Sequence, residues 1–297
     1  MPNLHIEHLE DTILDGNLSL LKSLLYEGNL STKIDGAPAI VWGKHPQTQQ
    51  FFVGTKSVFN KKLIKVNYTH DDIDNNHSGN VATILHTCLC KLPYTDNIYQ
   101  GDFIGFGGES SYTPNTITYQ FDHEIQESII VAPHTIYVSV DDNEGHENVL
   151  RNCEPIPLYE NLECNEDVLF IKPECKIDQK SVITKINFAL QMSQLVDFPD
   201  KKEALIYKKE MNYCIRENEL IDPEDYDNER LISLWILVKE IKDELVYSAW
   251  NNGAGAYIED EYIGAEGYVF NSVFGSVKLV SREDFSYKNF TLEKNWQ

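Results

Sequence analysis

The chain lacks a run of about 18 apolar residues long enough to cross a bilayer. Its first residues, Met-Pro-Asn-Leu-His-Ile-Glu-His, lack the charged-then-apolar order of an export signal. A soluble, unexported, cytoplasmic protein with no membrane partner is the expectation. Cysteine is sparse, with six in 297 residues (Cys88, Cys90, Cys153, Cys164, Cys175 and Cys214) and no CxxC spacing. Such thiols read as reduced core or surface groups in preference to a zinc site. Positive charge is scarce as well: 25 Lys and Arg stand against 47 Asp and Glu, a net charge of −22. That balance is the opposite of the basic footprint of a nucleic-acid binder. No internal repeat and no low-complexity tract is visible, and the length allows one large domain or two small ones.

The shortage of positive charge is uneven. Residues 51–69 carry Lys56, Lys61, Lys62 and Lys65 and no acid, while acids gather in 71–74, 141–147, 160–167, 222–229 and 259–261. A basic strip that holds a phosphate backbone and a solvated lysine-rich strand edge are both open readings for Lys61, Lys62 and Lys65.

Periodicity divides the chain. Leu14, Leu18, Leu21, Leu24 and Leu25 recur at helical spacing and predict a helix over 9–27, stopped by Gly28 and Asn29. Short β-like runs follow at 39–43, 50–54, 97–105, 116–121 and 134–140, separated by turn residues as in an antiparallel sheet, with a helix over 81–92 between them. After about residue 175 glycines thin out, and apolar residues step by three and four. Helices are predicted over 177–195, 201–218 and 228–250, with strands resuming at 256–258 and 268–280. The organisation expected is one α+β domain over 1–297, its antiparallel sheets interrupted by a helical insertion at 177–250.

Residues 31–39, Ser-Thr-Lys-Ile-Asp-Gly-Ala-Pro-Ala, hold a Lys33-x-Asp35-Gly36 core. A lysine amine attacks only when neutral, so it needs burial or nearby positive charge. The carboxylate after it could grip a ribose or hold the amine, and the glycine lets backbone approach a phosphate. Alone the core also fits a surface Asp-Gly turn. Further segments follow in order: Val53-Gly54-Thr55-Lys56-Ser57, a basic residue on an expected strand, and Gln100-Gly101-Asp102-Phe103-Ile104-Gly105, an acid before an apolar run. Ala265-Glu266-Gly267-Tyr268-Val269-Phe270 repeats that pattern, and Ser276-Val277-Lys278-Leu279-Val280 sets a lysine in a strand.

This series resembles the covalent nucleotidyltransferase superfamily of ATP-dependent DNA ligases, RNA ligases and capping enzymes, over residues 31–280. It is most similar to uncharacterised bacteriophage members in 32–39, 51–61 and 278–289. The resemblance implies the ligase adenylation-domain fold and a lysine–AMP intermediate on Lys33. It assigns ATP binding to Thr32, Lys33, Asp35, Gly36, Lys56, Asp102, Glu266 and Lys278, with Lys33, Glu266 and Lys278 catalytic. Glu266 and Asp102 would place Mg²⁺ or Mn²⁺. Lys278 would meet the α-phosphate and help keep Lys33 neutral.

The sequence departs from the pattern in four places. Ser31 stands where many ligases have an acid, Asp102 replaces a glutamate, and only one lysine occupies the fifth motif. The chain ends at Gln297, soon after Lys278, and no OB domain is expected. The resemblance therefore implies an ATP-dependent ligase of polynucleotide ends, RNA in preference to DNA, in the cytoplasm of an infected host cell if phage-encoded. The competing class is a catalytically drifted nucleotide-binding or virion-associated interaction protein, with any protein partner unknown. The 177–250 insertion is large enough to cover the nucleotide pocket or to dock such a partner.

Other groups read more plainly. Tyr119 and Phe121 could stack on adenine but suit core packing better. His134, in an apolar stretch, reads as a hydrogen-bonded core residue. His5, Glu7, His8, Glu10 and Asp11 read as a solvated helix start in preference to a metal site. Asp71-Asp72-x-Asp74 lacks the glycine and glutamate of a calcium loop and reads as a solvated turn.

Overall fold

The computed structural model describes residues 6–26, 28–139 and 148–283. It is a mixed α+β protein with mainly antiparallel sheets, and among the described residues there are seven α-helices and no closed barrel. His5, the 141–147 acids and the end of the 278–289 segment lie outside the described residues.

A four-stranded sheet joins distant parts of the chain in the spatial order Glu7–His8, Gly275–Leu279, Gly267–Ser272, Asn29–Lys33. Its register decides which side chains share a face. Lys33 pairs with Gly267 and Ser31 with Val269, and Val269 pairs in turn with Lys278. Side chains alternate along a strand, so Ser31, Lys33, Val269 and Lys278 point to one side. Tyr268, Phe270, Val277 and Leu279 point to the other, where they enter a core with Val182, Ile186, Trp235, Val238 and Ile241. The helices Gln179–Met192 and Glu229–Tyr247 supply those residues, and Lys201–Glu217 adds Tyr207, Met211 and Ile215 to the same core. They back the sheet on the face away from Lys33, and so do not cover the lysine as a lid would. The excursion leaves and returns at one place, because Cys175 pairs with Asn251 and Lys176 with Trp250.

The helix expected over 9–27 is two short ones, Asp11–Leu14 and Ser19–Ser23, broken at Gly16, whose φ of +70° suits a residue without a Cβ. The leucines keep their apolar face, but the break lets both pieces pack under the sheet.

A second sheet runs Val168–Phe170, Ile129–Val138, Ile98–Phe106, Ala39–Lys44, Phe51–Gly54, with Glu154–Pro157 beside Ile129–Val138. One face packs on the Gly79–Lys91 helix through Ile84, Leu85 and Cys88. The opposite face meets a small sheet of Ser111–Tyr112, Thr118–Gln120, Gly255–Ile258 and Glu261–Gly264. The Asp71–Asp74 stretch is helical, within His70–Asn76. Thr69 caps it by accepting from the Asp72 N–H, while the Asp72 carboxylate accepts from the Thr69 N–H.

Candidate functional site

The turn between the two larger sheets carries Asp35 and Gly36. It leaves the first sheet at Lys33 and enters the second at Ala39, which pairs with Asp102. Gly36 is needed there for a packing reason: a Cβ would stand 2.3 Å from the Phe103 carbonyl oxygen. The Asp35 backbone is clamped by Tyr119, whose hydroxyl accepts from the Asp35 N–H at 2.9 Å and donates to its carbonyl at 3.2 Å. Tyr119 is thus a buried core residue with a positioning hydroxyl.

The Lys33 ammonium lies against two carboxylates. It donates to Glu266 Oε1 in a short contact and approaches Asp35 Oδ1 at 2.5 Å. Glu266 is buried, and its Oε2 has no hydrogen-bond partner in the structure. Burial pushes its carboxyl up to about 8, with the Asp35 charge adding to the rise and Lys33 opposing it. Burial alone would lower Lys33, but the Glu266 and Asp35 charges outweigh it and its pKa rises. Asp35 is partly exposed, and the Lys33 charge holds its pKa below the usual carboxylate range. The expected neutral amine is therefore not what this state presents: Lys33 is an ammonium held by carboxylates.

Lys278, in contrast, is depressed. Burial first, then the Lys33 and Lys56 charges, lower its pKa. Lys56 follows the Phe51–Gly54 strand in a short 3₁₀ turn, Lys56–Phe59, rather than lying on a strand, and its side chain is exposed. Asp102 precedes Phe103, which enters the core with Ile84, and so faces the other side of its strand, the side of Ile104 and Tyr119. Asp102 also lies 3.9 Å from His134 Nε2. His134 is half exposed, not core, because it occupies the outward position after the buried run Ile129–Ala132.

Beside this cluster opens a cavity of about 350 Å³. Lys33 and Glu266 line one end, Tyr119, Phe121 and Ile171 form apolar wall, and Asn251, Asn252 and Lys172 supply polar groups. Thr32 also borders it, although strand alternation sets its side chain on the face shared with Tyr268. Of the residues singled out in the sequence, Lys33, Asp35, Glu266, Lys278, Asp102 and Lys56 are brought together, while Gly36 packs beneath them. The walls at Asn251, Asn252, Lys172 and Ile171 gave no signal in the sequence, for they have no chemistry until the cavity exists. The basic strip is only partly free: the Lys65 ammonium donates to the Asn76 carbonyl at 2.6 Å, while Lys61 and Lys62 are exposed.

His8 pairs with Lys278 at the edge of the first sheet, and the Glu10 and Asp11 group beside it is not a solvated helix start. Glu10 is fully buried, pairing with Lys242 Nζ at 2.8 Å and Arg282 Nη1 at 3.2 Å. Arg282 also meets Asp11 at 2.8 Å, and Trp235 Nε1 donates to Asp11 at 3.2 Å. These are clamp contacts between the helical layer and the chain's first segment.

A carboxylate pair can place a divalent ion that keeps most of its waters. The unpartnered, buried Glu266 Oε2 beside Asp35, with Asp102 on the same side, suits that chemistry. No group of three or more His, Cys, Asp or Glu among the described residues is arranged to hold an ion by protein ligands alone. No helix among the described residues is long and apolar enough to cross a membrane.

A model for a family of unknown function (DUF6267) matches residues 3–219 and 199–294. No curated protein and no solved structure matches the chain.

Proposed function

The chain belongs to that family of unknown function, and we propose that this member is an ATP-dependent nucleotidyltransferase that joins polynucleotide ends, RNA in preference to DNA. The observation that carries the reading is the placement of Lys33. It lines a part-aromatic cavity, on the same sheet face as Lys278 and in contact with Glu266. In this reading Lys33 Nζ forms a bond to the α-phosphorus of ATP as the bond to pyrophosphate breaks. The ammonium first gives one proton to solvent, and the second, released as the bond to phosphorus forms, passes to the ionised Glu266 carboxylate, which burial disposes to hold one. Lys278 faces the developing phosphate charge, and Lys56 lies further out for the departing phosphates. A Mg²⁺ or Mn²⁺ ion beside Glu266 and Asp102 would supply charge neutralisation. RNA is favoured because the exposed Lys61 and Lys62 offer few phosphate contacts, enough for an accessible end but not for gripping a long duplex. The proposed setting is the cytoplasm.

The second reading is a nucleotide-binding interaction protein that no longer transfers. It is favoured by the raised pKa of Lys33, which leaves the amine charged in the present state. Labelled ATP with Mg²⁺ or Mn²⁺, followed by a denaturing gel, separates the two. Transfer gives label that survives denaturation and is absent from Lys33→Ala. Wild-type protein unlabelled by any nucleotide with either metal leaves the second reading standing.

A further inference from the structure

We propose that Cys90 is a reactive thiol that exchanges with small disulfides and keeps half of the reagent as a mixed disulfide, with His70, His86 and Asp74 serving it as a proton relay. The four groups belong to two helices, His70–Asn76 and Gly79–Lys91, that lie outside the Lys33 cluster, so the site is independent of the nucleotide chemistry. Their contacts run in one line. Cys90 Sγ lies 3.5 Å from His70 Nε2, His70 Nδ1 lies 2.7 Å from His86 Nδ1, and His86 Nε2 lies 2.9 Å from Asp74 Oδ1.

With Asp74 ionised and both rings neutral, these contacts admit one order of protons. His86 Nε2–H donates to the carboxylate, so His86 Nδ1 has only a lone pair and accepts from His70 Nδ1–H. His70 Nε2 is then an acceptor, and the thiol faces it. Every donor points toward Asp74. This is a nucleophile, a base and an acid that orients the base, with one imidazole inserted. Neither helix end assists: Cys90 is in the last turn of its helix and His70 opens its own, and both positions oppose a thiolate beside an imidazolium. Support for that ion pair therefore falls to the Asp74 carboxylate.

The other thiols mark the contrast. Burial pushes Cys88 up to about 12 and Cys153 up to about 11, and neither is open to a reagent. Cys164 is exposed, but it meets backbone groups of Phe170, which offer no base. Cys90 combines exposure with an imidazole. Thr69, next to His70 in the chain, and Tyr94, four residues past Cys90, border an open groove of about 620 Å³ that gives a small reactant room. In the exchange the thiol proton passes to His70 Nε2 and the thiolate attacks one sulfur of the reagent. A bond forms from Sγ to that sulfur as the reagent's S–S bond breaks, and the departing thiolate takes the proton from His70. The protein thiol is oxidised, and half of the reagent leaves reduced as a thiol. Cys88, two residues back, faces the core and is turned away from the mixed disulfide, which therefore persists.

The test uses the full-length protein at pH near 7 with hydroxyethyl disulfide, an uncharged reagent that the acidic surface neither attracts nor repels. Peptide mass spectrometry reads each cysteine. Cys90 should react at least about tenfold faster than Cys164, and His70→Ala, His86→Ala and Asp74→Asn should each slow Cys90 about tenfold or more while Cys164 keeps its rate. New reaction at buried Cys88 would mark a variant that has unfolded; Asp74→Asn, which keeps the shape of an exposed side chain, then decides. Equal rates at Cys90 and Cys164, or a Cys90 rate that Asp74→Asn leaves unchanged, overturns the proposal.

Discussion

Both faces of the sheet that carries Lys33 gather acids and bases, and they do opposite things with them. On the back, Glu10 and Asp11 face Lys242 and Arg282, two acids against two cations in a fully enclosed space. Glu10 is held down at about 2 because the two cations outweigh its burial. On the front, Glu266 and Asp35 share Lys33, and Glu266 is pushed up to about 8. Each glutamate leaves one buried oxygen without a partner. The difference lies in the space beside the group. An enclosed cluster acts as a clamp, whereas a cluster opening on a 350 Å³ cavity retains capacity for a cation or a ligand.

The contrast breaks most sharply at Lys33. Lys33→Ala should remove the covalent nucleotide adduct entirely, read as label on a denaturing gel. Lys33→Met should meanwhile shift the urea midpoint little at pH near 7, because Glu266 can take up a proton once its cation is gone. Glu266→Ala and Lys278→Ala should each slow adduct formation by about 10²–10³-fold. Normal labelling by both would show that charge on this face plays no part in transfer.

The back should answer in stability and not in chemistry. Lys242→Met leaves Glu10 with one cation fewer in a buried site and should cost about 3–5 kcal/mol in denaturant unfolding. Adding Glu10→Gln should recover much of that loss. If Lys242→Met instead left stability intact while cutting the adduct yield, the two faces would have to be treated as one system.

A smaller effect concerns His8. Burial lowers its pKa to about 3, so it stays neutral in the fold but takes a proton once unfolded. Stability should fall as pH drops from about 6.5 toward 3, by at most about 1.4 kcal/mol per pH unit from this group. His8→Leu should flatten that limb of a plot of urea midpoint against pH; an unchanged slope would assign the acid limb to other groups. The smallest effect expected is at the edge of the front face. Lys61→Ala and Lys62→Ala should leave the adduct intact and each reduce the salt slope of RNA binding by roughly one unit. Lys65→Ala, whose ammonium is taken up by the Asn76 carbonyl, should change it less.

The helical layer was legible in the sequence to within three residues at each end. Asp200 caps Lys201–Glu217 by accepting two backbone N–H groups, and Asn228 caps Glu229–Tyr247, so the local signals agree with the packing. The first half of Ile129–Val138 escaped notice for an equally local reason. Ile129 and Val131 enter one core and Ile130 and Ala132 another, so both faces are apolar and no alternation appears. At the site, residue types were readable but their relations were not. Lys33 and Glu266 meet across 233 residues through strand register, and that pairing, together with Asp35 of the motif, sets the charge on the amine. The back clamp hid in the same way, since Asp11 and Arg282 are 271 residues apart.

The alternation in the Gly267–Leu279 hairpin also constrains how its gene can change. Val277 and Leu279 are fully buried against the helices, while Lys278 between them faces front. Losing one codon upstream of Lys278 within its strand would slide the pleat by a single step, sending the lysine toward oil and a valine or leucine toward the cavity. Losing two would restore the parity. Deletion scanning across 273–276 should therefore return survivors in a two-step rhythm, a reading frame written by the sheet on top of the one written by the ribosome.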